Sequence, residues 1–306
     1  MVCKEDILIE QVCDLYNQIS NLDTLKPCKI VNTLFTKLVL TCMSPIPNID
    51  VTKLATNVQE IRSKLIILCG EAEGHLESHY STILASHNNP LNHLNIFPYY
   101  TNYLKLSLLE FNILNQHITN NVPKNVAFIG SGPLPLTSIV LATNYLPSTI
   151  FHNYDIDPLA NSKASCLISS NPDLSNRMLF HTNDILNVTN DLKEFEVVYL
   201  AALVGMNNEE KNKIIDHLGK YMAHGALLML RSAHGARAFL YPVVDTSDLR
   251  GFEVLSIFHP TDEVINSVLI ARKYNPIVLL PNKCCGDEIQ VFKPLNNMIE
   301  ELVIEE

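Results

Sequence analysis

Glycines at 130 and 132 follow the apolar run Val126-Ala127-Phe128-Ile129 and precede Pro133-Leu134-Pro135-Leu136. A strand that runs through two glycines into a helix lets the backbone turn sharply and approach a ligand at the helix N-terminus, as dinucleotide and adenosyl sites require. Plain strand-to-helix turns also hold two glycines, so the loop by itself leaves both readings open. Two acids beyond it narrow the choice. Asp155 closes the next apolar run, 25 residues past Gly130, where a carboxylate can accept hydrogen bonds from both ribose hydroxyls. Asp184 follows the third run, at the carboxyl edge of the expected sheet, where an acid can receive the amino group of adenine. Asp157, directly before Pro158, reads as a helix cap.

Gly130, Ser131, Gly132, Asp155 and Asp184 are thus candidate contacts to a nucleoside. A nicotinamide dinucleotide shares the glycines and the first acid but has less use for the second. The third glycine of the dinucleotide pattern is missing, and Pro133 and Pro135 offer no amides to a pyrophosphate. S-adenosylmethionine, which carries no phosphate, fits better. Arg231, at the end of the fifth apolar run, could clamp a substrate carboxylate with its two-pronged guanidinium, and Arg237 could do likewise; an ion pair with one of the many acids is an equal alternative for each. His75 and His79 lie four apart on one helical face, but the zinc-protease pattern needs glutamate directly after the first histidine, so no metal site is expected. No cofactor beyond the nucleoside is implied.

These residues need a scaffold. From Ile7 to His117 the text is dominated by helical spacing, with Ile7, Leu8, Gln11, Leu15 and Tyr16 in one stripe and Leu34, Phe35, Leu38 and Val39 in another. Prolines at 27, 45, 47 and 90 punctuate the text into five or six helices. After Asn120-Asn121-Val122-Pro123, short apolar runs alternate with helical windows: strands at 125–129, 149–155, 177–181, 197–201, 226–231, 252–258 and 265–272, helices at 134–146, 158–170 and 208–222. Such alternation predicts a parallel, doubly wound α/β sheet. The expected division is a helical cap over 1–121, a nucleoside-binding α/β domain over 122–275 and an acidic tail over 276–306, with two lysines against six acids.

Composition excludes several classes. The chain has 306 residues, 47% of them hydrophobic and 18% charged, enough apolar material for a large core. A formal charge of −10 with no basic cluster speaks against nucleic acid as a partner. The acidic start lacks the order of a signal peptide, and no apolar run reaches the roughly 20 residues that span a bilayer, so a cytoplasmic protein without an integral membrane segment is expected. Eight cysteines form no Cys-x-x-Cys pair and read as reduced, mostly buried small hydrophobes. Tyr103-Leu104-Lys105-Leu106 and Leu108-Leu109 resemble vesicle-sorting signals, though packing in an apolar helix explains them as well. A homo-oligomer stays open.

The run from Phe128 to Ser138, the triplet Asp155-Ile156-Asp157 and the run from Met229 to Arg237 resemble plant nicotianamine synthases, as do Glu71-Ala72-Glu73-Gly74 and Phe97-Pro98-Tyr99-Tyr100 in the helical half. The resemblance extends over nearly the whole chain. It implies a methyltransferase-like, Rossmann-type α/β domain under an N-terminal all-α cap. It also implies 3-amino-3-carboxypropyl transfer, in which three S-adenosylmethionine molecules become nicotianamine, a metal chelator tied to iron and metal homeostasis, and three methylthioadenosines. The family assigns proton handling to a glutamate and a tyrosine of the helical half, and the matching positions are Glu77 and Tyr103. By type and spacing alone, Glu77 reads as a solvated helix residue and Tyr103 as core. A capped methyltransferase and a non-catalytic S-adenosylmethionine-binding protein remain the competing readings.

Overall fold

A computed structural model describes residues 4–43, 49–118 and 122–274. The expected acidic tail with Cys284 and Cys285, the prolines at 45 and 47 and the 121/122 boundary fall wholly or partly outside the described residues. The helical half comprises α1 (Lys4–Ser20), α2 (Lys29–Cys42), α3 (Thr56–Ala85) and α4 (Tyr100–His117). The described residues thus hold four helices rather than five or six, because 56–85 runs as one helix of 30 residues, flanked by single 3-10 segments at Val51–Lys53 and Pro90–Ile96. α1 buries Leu8, Val12, Leu15 and Ile19, a stripe turned from the predicted one, with Ile7 43% exposed. These side chains meet Leu38, Leu65 and Cys69 and, across the chain, Phe239 and Leu240. Of the five described cysteines Cys42 and Cys69 are buried, whereas Cys28 and Cys166 face solvent, contrary to expectation. Cys28 does so because it caps α2 directly after Pro27.

Seven strands form one sheet: β1 (Asn125–Ile129), β2 (Ile150–Asp155), β3 (Met178–Thr182), β4 (Val197–Leu200), β5 (Leu227–Ser232), β6 (Phe252–Phe258) and β7 (Ser267–Lys273). Their order is 3-2-1-4-5-7-6. The first five pair in parallel, but β7 runs antiparallel between β5 and β6, so the sheet is mixed rather than parallel throughout. The link from β6 to β7 is too short for a crossover helix, which leaves an antiparallel return as the available connection. Chain order reverses between β1 and β4, and their carboxyl ends open the crevice where α/β sheets bind ligands.

Period-two alternation divides the core. Val126, Phe128, Val197, Tyr199, Leu227 and Met229 face one side with Leu106, Ile113 and Leu114 of α4. Ala127, Ile129, Val198, Leu200, Leu228 and Leu230 face the other with Ile214, Ile215 and Leu218 of α8 (Asn208–Tyr221). Helices start where the sequence provides caps: Asp157 accepts from Leu159 N–H at 2.8 Å at the head of α6 (Pro158–Ile168). Asn207 accepts from Glu210 N–H at 2.9 Å at the head of α8, and Glu210 accepts from Met206 N–H in return. The helix predicted over 134–146 is shorter. Pro133 and Pro135 delay α5 (Leu136–Val140), and the chain then widens into a π turn over Leu141–Tyr145. Arg177, closing α7 (Pro172–Arg177), takes the Ala142 carbonyl at 3.2 Å, so Leu146 N–H reaches one residue further back, to Leu141 O at 2.7 Å. Among the described residues no helix is long and apolar enough to cross a membrane.

A buried ionic contact ties the helical half to the sheet. Arg231 at the end of β5 presents its fork to Glu110 of α4, at 2.7 and 2.9 Å, and donates to Thr137 Oγ1 at 2.6 Å; Glu110 is fully buried. Breaking one side of such a pair leaves a bare buried charge, whereas replacing both sides by apolar groups does not. Glu110→Ala should therefore lower unfolding free energy in urea by about 3–5 kcal/mol, and Glu110→Leu combined with Arg231→Met should recover most of it.

Candidate active site

The glycine loop is built on backbone conformations that side chains resist. Gly130 and Gly132 have φ of +79° and +66°. A Cβ on Gly130 would lie 2.2 Å from Val204, and one on Gly132 would lie 2.7 Å from Oε2 of Glu77. The second contact shows why α3 can press its carboxylate onto the loop: residue 132 has no side chain to keep it away. Asp155, ending β2, holds the loop from below, accepting from Gly132 N–H at 2.8 Å and from Asp157 N–H at 2.9 Å. Each of its oxygens keeps a second lone pair for a hydroxyl donor. On the far side Lys211 of α8, 2% exposed, donates to the Ala202 carbonyl at 2.8 Å and so fastens the loop that follows β4. Burial pushes that ammonium down to about 7.

Above the loop lies a cavity of about 1130 Å³ between α3, α4 and the carboxyl ends of β1, β2 and β4. All eight candidate residues line it: Glu77, Tyr103, Gly130, Ser131, Gly132, Asp155, Asp184 and Arg231. Its volume exceeds the roughly 300–1,000 Å³ usual for a site holding one small ligand. Asp184 spends one oxygen on Leu186 N–H at 2.9 Å and lies exposed at the rim. Arg231 turns out to be the ion-paired alternative, because its fork is taken by Glu110. Arg237 lies elsewhere, donating to the carbonyls of Pro260 and Asp262.

Glu77 is 8% exposed and accepts from the Tyr103 hydroxyl at 3.0 Å. Burial drives its carboxyl well above the ordinary range; Glu73 and Asp155 push the same way, while the Tyr103 hydrogen bond and Arg231 oppose. Tyr103 stays a protonated donor, since burial and then Glu77 raise its phenol. Sequence reasoning missed a second such pair: Tyr241 donates to Glu73 Oε2 at 2.8 Å, and both residues face the same cavity. The spacing of Glu73 and Glu77, one turn apart on α3, was the available signal for the first member; nothing local marks Tyr241. Also missed were Glu110, Thr137 and Asn266.

Residues 2–278 match the family model described as "Nicotianamine synthase protein". The chain is 61% identical over 319 residues to the nicotianamine synthase of Solanum lycopersicum, covering 100% of both chains. It is 61% identical over 312 residues to nicotianamine synthase 3 of Arabidopsis thaliana, covering 100% of this chain and 97% of the relative. The chain belongs to the nicotianamine synthase family. A crystal structure of MtNAS in complex with MTA and tNA shares the fold at a TM-score of 0.73 with 22% identity, over 90% of this chain and 100% of that one. A mutant of MtNAS in complex with S-adenosylmethionine also superposes at 0.73, with 21% identity and the same coverage. The methyltransferase-like α/β architecture expected of a nicotianamine synthase is therefore present, with α4 packed on a face of the sheet and α3 crossing above its edge.

Stability should report the buried carboxyls of this family member. Their folded pKa values lie above the unfolded ones, so folding takes up protons; the stabilising contribution is complete below the unfolded value of about 4.3 and is lost as pH rises through the folded value. For Glu73 and Glu77 the loss is at most about 1.4 kcal/mol per pH unit each. Glu77→Gln should thus raise the melting temperature relative to wild type more at pH 8 than at pH 5, measured by differential scanning calorimetry. An equal shift at both pH values would place the charged form of Glu77 in a well-solvated site.

Proposed function

We propose that the protein condenses three molecules of S-adenosylmethionine into nicotianamine by 3-amino-3-carboxypropyl transfer, with Glu77 and Tyr103 managing the proton. The observation that carries this reading is the Glu77–Tyr103 pair lying buried against Gly132, directly over the loop suited to a nucleoside. The cavity leaves room for an acceptor beside the donor, as transfer of the aminocarboxypropyl chain between two S-adenosylmethionine molecules requires.

The chemistry follows from the charges. Each attacking nitrogen uses its lone pair to bond the γ-carbon of a donor, the carbon–sulfur pair leaves with sulfur as neutral methylthioadenosine, and the nitrogen gives up a proton. Three carbon–nitrogen bonds form and three carbon–sulfur bonds break, the third closing a ring. An α-ammonium with pKa near 8 arrives mostly protonated at neutral pH. A carboxylate whose own pKa burial has raised is a stronger base, and Tyr103 fixes one of its oxygens so that the other faces the loop. Aligned reactants in a closed site can lower the barrier by about 7–11 kcal/mol, which gives the roof of α3 and α4 a concrete use.

In the same reading Asp155 receives the ribose, Asp184 the adenine, and the amides and side chain around Gly130, Ser131 and Gly132 the sulfonium arm. Ser131 supports it: its hydroxyl is buried and has no hydrogen-bond partner among the described residues. Arg231 then acts through its charge: burial opposes that charge, but Glu110, with Tyr103 and Tyr199 adding to it, holds the guanidinium protonated. The three-part division of the chain, a cytoplasmic location, a homo-oligomer and a part in iron and metal homeostasis through the chelating product belong to this proposal. Vesicle association through Tyr103–Leu106 would require α4 to unwind, since Leu106 is 1% exposed and the Tyr103 hydroxyl is engaged; Leu108, 43% exposed, is the freer part of the second signal.

One incubation separates the readings. Purified protein with S-adenosylmethionine as sole substrate should yield methylthioadenosine and nicotianamine by mass spectrometry; S-adenosylhomocysteine would indicate a methyltransferase, and no turnover a binding protein. Glu77→Gln should abolish condensation while leaving the fold and substrate affinity nearly unchanged. Asp155→Ala should weaken S-adenosylmethionine binding by about 1.5–3 kcal/mol, the worth of hydrogen bonds to a charged group; calorimetry showing unchanged affinity would remove Asp155 from the ribose site.

A further inference from the structure

Glu73 and Tyr241 repeat, one helical turn away, the arrangement of Glu77 and Tyr103. In both pairs a tyrosine reaches across from another segment and donates to a carboxylate of α3, at 2.8 Å from Tyr241 and 3.0 Å from Tyr103. The two carboxylates stand at i and i+4 and face one cavity. Charge in that cavity calls for a cation: seven acidic side chains line it against three basic ones, and the fork of one of those, Arg231, is already matched by Glu110. An independent observation points to a ligand there. Asn266, 7% exposed and lining the same space, has an Nδ2 with no acceptor among the described residues, as a site awaiting a carboxylate would.

The spacing selects the ligand. Residues at i and i+4 of a helix place their Cβ atoms about 5–6 Å apart. Condensing one aminocarboxypropyl unit onto an amine puts three carbons between successive nitrogens, which an extended chain separates by about 5 Å. We propose that Glu73 and Tyr241 form a second ammonium site that grips a nitrogen one aminocarboxypropyl unit away from the nitrogen reacting at Glu77 and Tyr103. The pair keeps the half-built product in the cavity between condensations. This rests on the condensation reading above and adds to it a site for the intermediate.

Glu73→Gln and Tyr241→Phe, each in the full chain, test this against wild type with S-adenosylmethionine as sole substrate, with methylthioadenosine and nicotianamine quantified together. Wild type should release three methylthioadenosines per nicotianamine. Both variants should keep releasing methylthioadenosine, while that ratio rises about tenfold or more and the two-unit condensation product appears free in solution, as loss of a hydrogen bond to a charged group predicts. Should Glu73→Gln fail to fold, Tyr241→Phe decides, because it removes one hydroxyl. A ratio that stays at three in the folded variants, or loss of methylthioadenosine release, overturns the second site while the condensation reading stands. A wild-type protein that makes no nicotianamine overturns both.

Discussion

A carboxylate oxygen of Glu77 occupies the space that a Cβ on residue 132 would fill, 2.7 Å away. The rest of the site is arranged around that contact. It requires glycine at 132, because the residue combines a positive φ with a carboxylate against its Cα. It requires Asp155 beneath the loop, to hold the Gly132 amide in place. It also requires α3 to be long and straight enough to bring the middle of its course over the sheet's edge. A 30-residue helix, about 45 Å from end to end, can anchor its first half among α1 and α2 and still reach the loop with its second.

Putting acids in such a place costs stability, and the surroundings explain how the fold tolerates it. Glu73 and Glu77 each accept a tyrosine hydroxyl, and both feel Arg231, which Glu110 holds charged. The Glu110–Arg231 pair thus has two effects. It fastens α4 to β5, and it keeps a cation in the roofed space without leaving a free guanidinium fork for anions. The carboxyls that remain have pKa values raised by burial, a property that suits proton acceptance from an ammonium. Stability and chemistry are linked through the same groups, and the pH range that favours the folded chain is not the range in which its carboxyls are charged.

The nucleoside end and the roof differ in how far they could be read from local text. Gly130, Gly132, Asp155 and Asp184 follow from where strands end, and each strand end was legible from apolar runs within a residue or two. Asp157 was legible as a cap for the same reason. β7 was found as a strand but its direction was not, since an apolar run looks the same in either orientation. Arg231 was read equally as a clamp or an ion pair, and only the position of Glu110, 121 residues away, decides between them.

Periodicity and backbone preference act over a handful of residues, so the amino-acid sequence by itself determined the strands, the helix starts and a loop that only glycine can make. Resemblance to a family added Glu77 and Tyr103, which type and spacing had placed in solvent and in core. Burial of a charged group has no local signature, because it depends on what the rest of the chain lays over it. Tertiary structure alone brought Tyr241 to Glu73 across 168 residues, closed the Glu77 carboxylate off from water and set both carboxylates in one cavity.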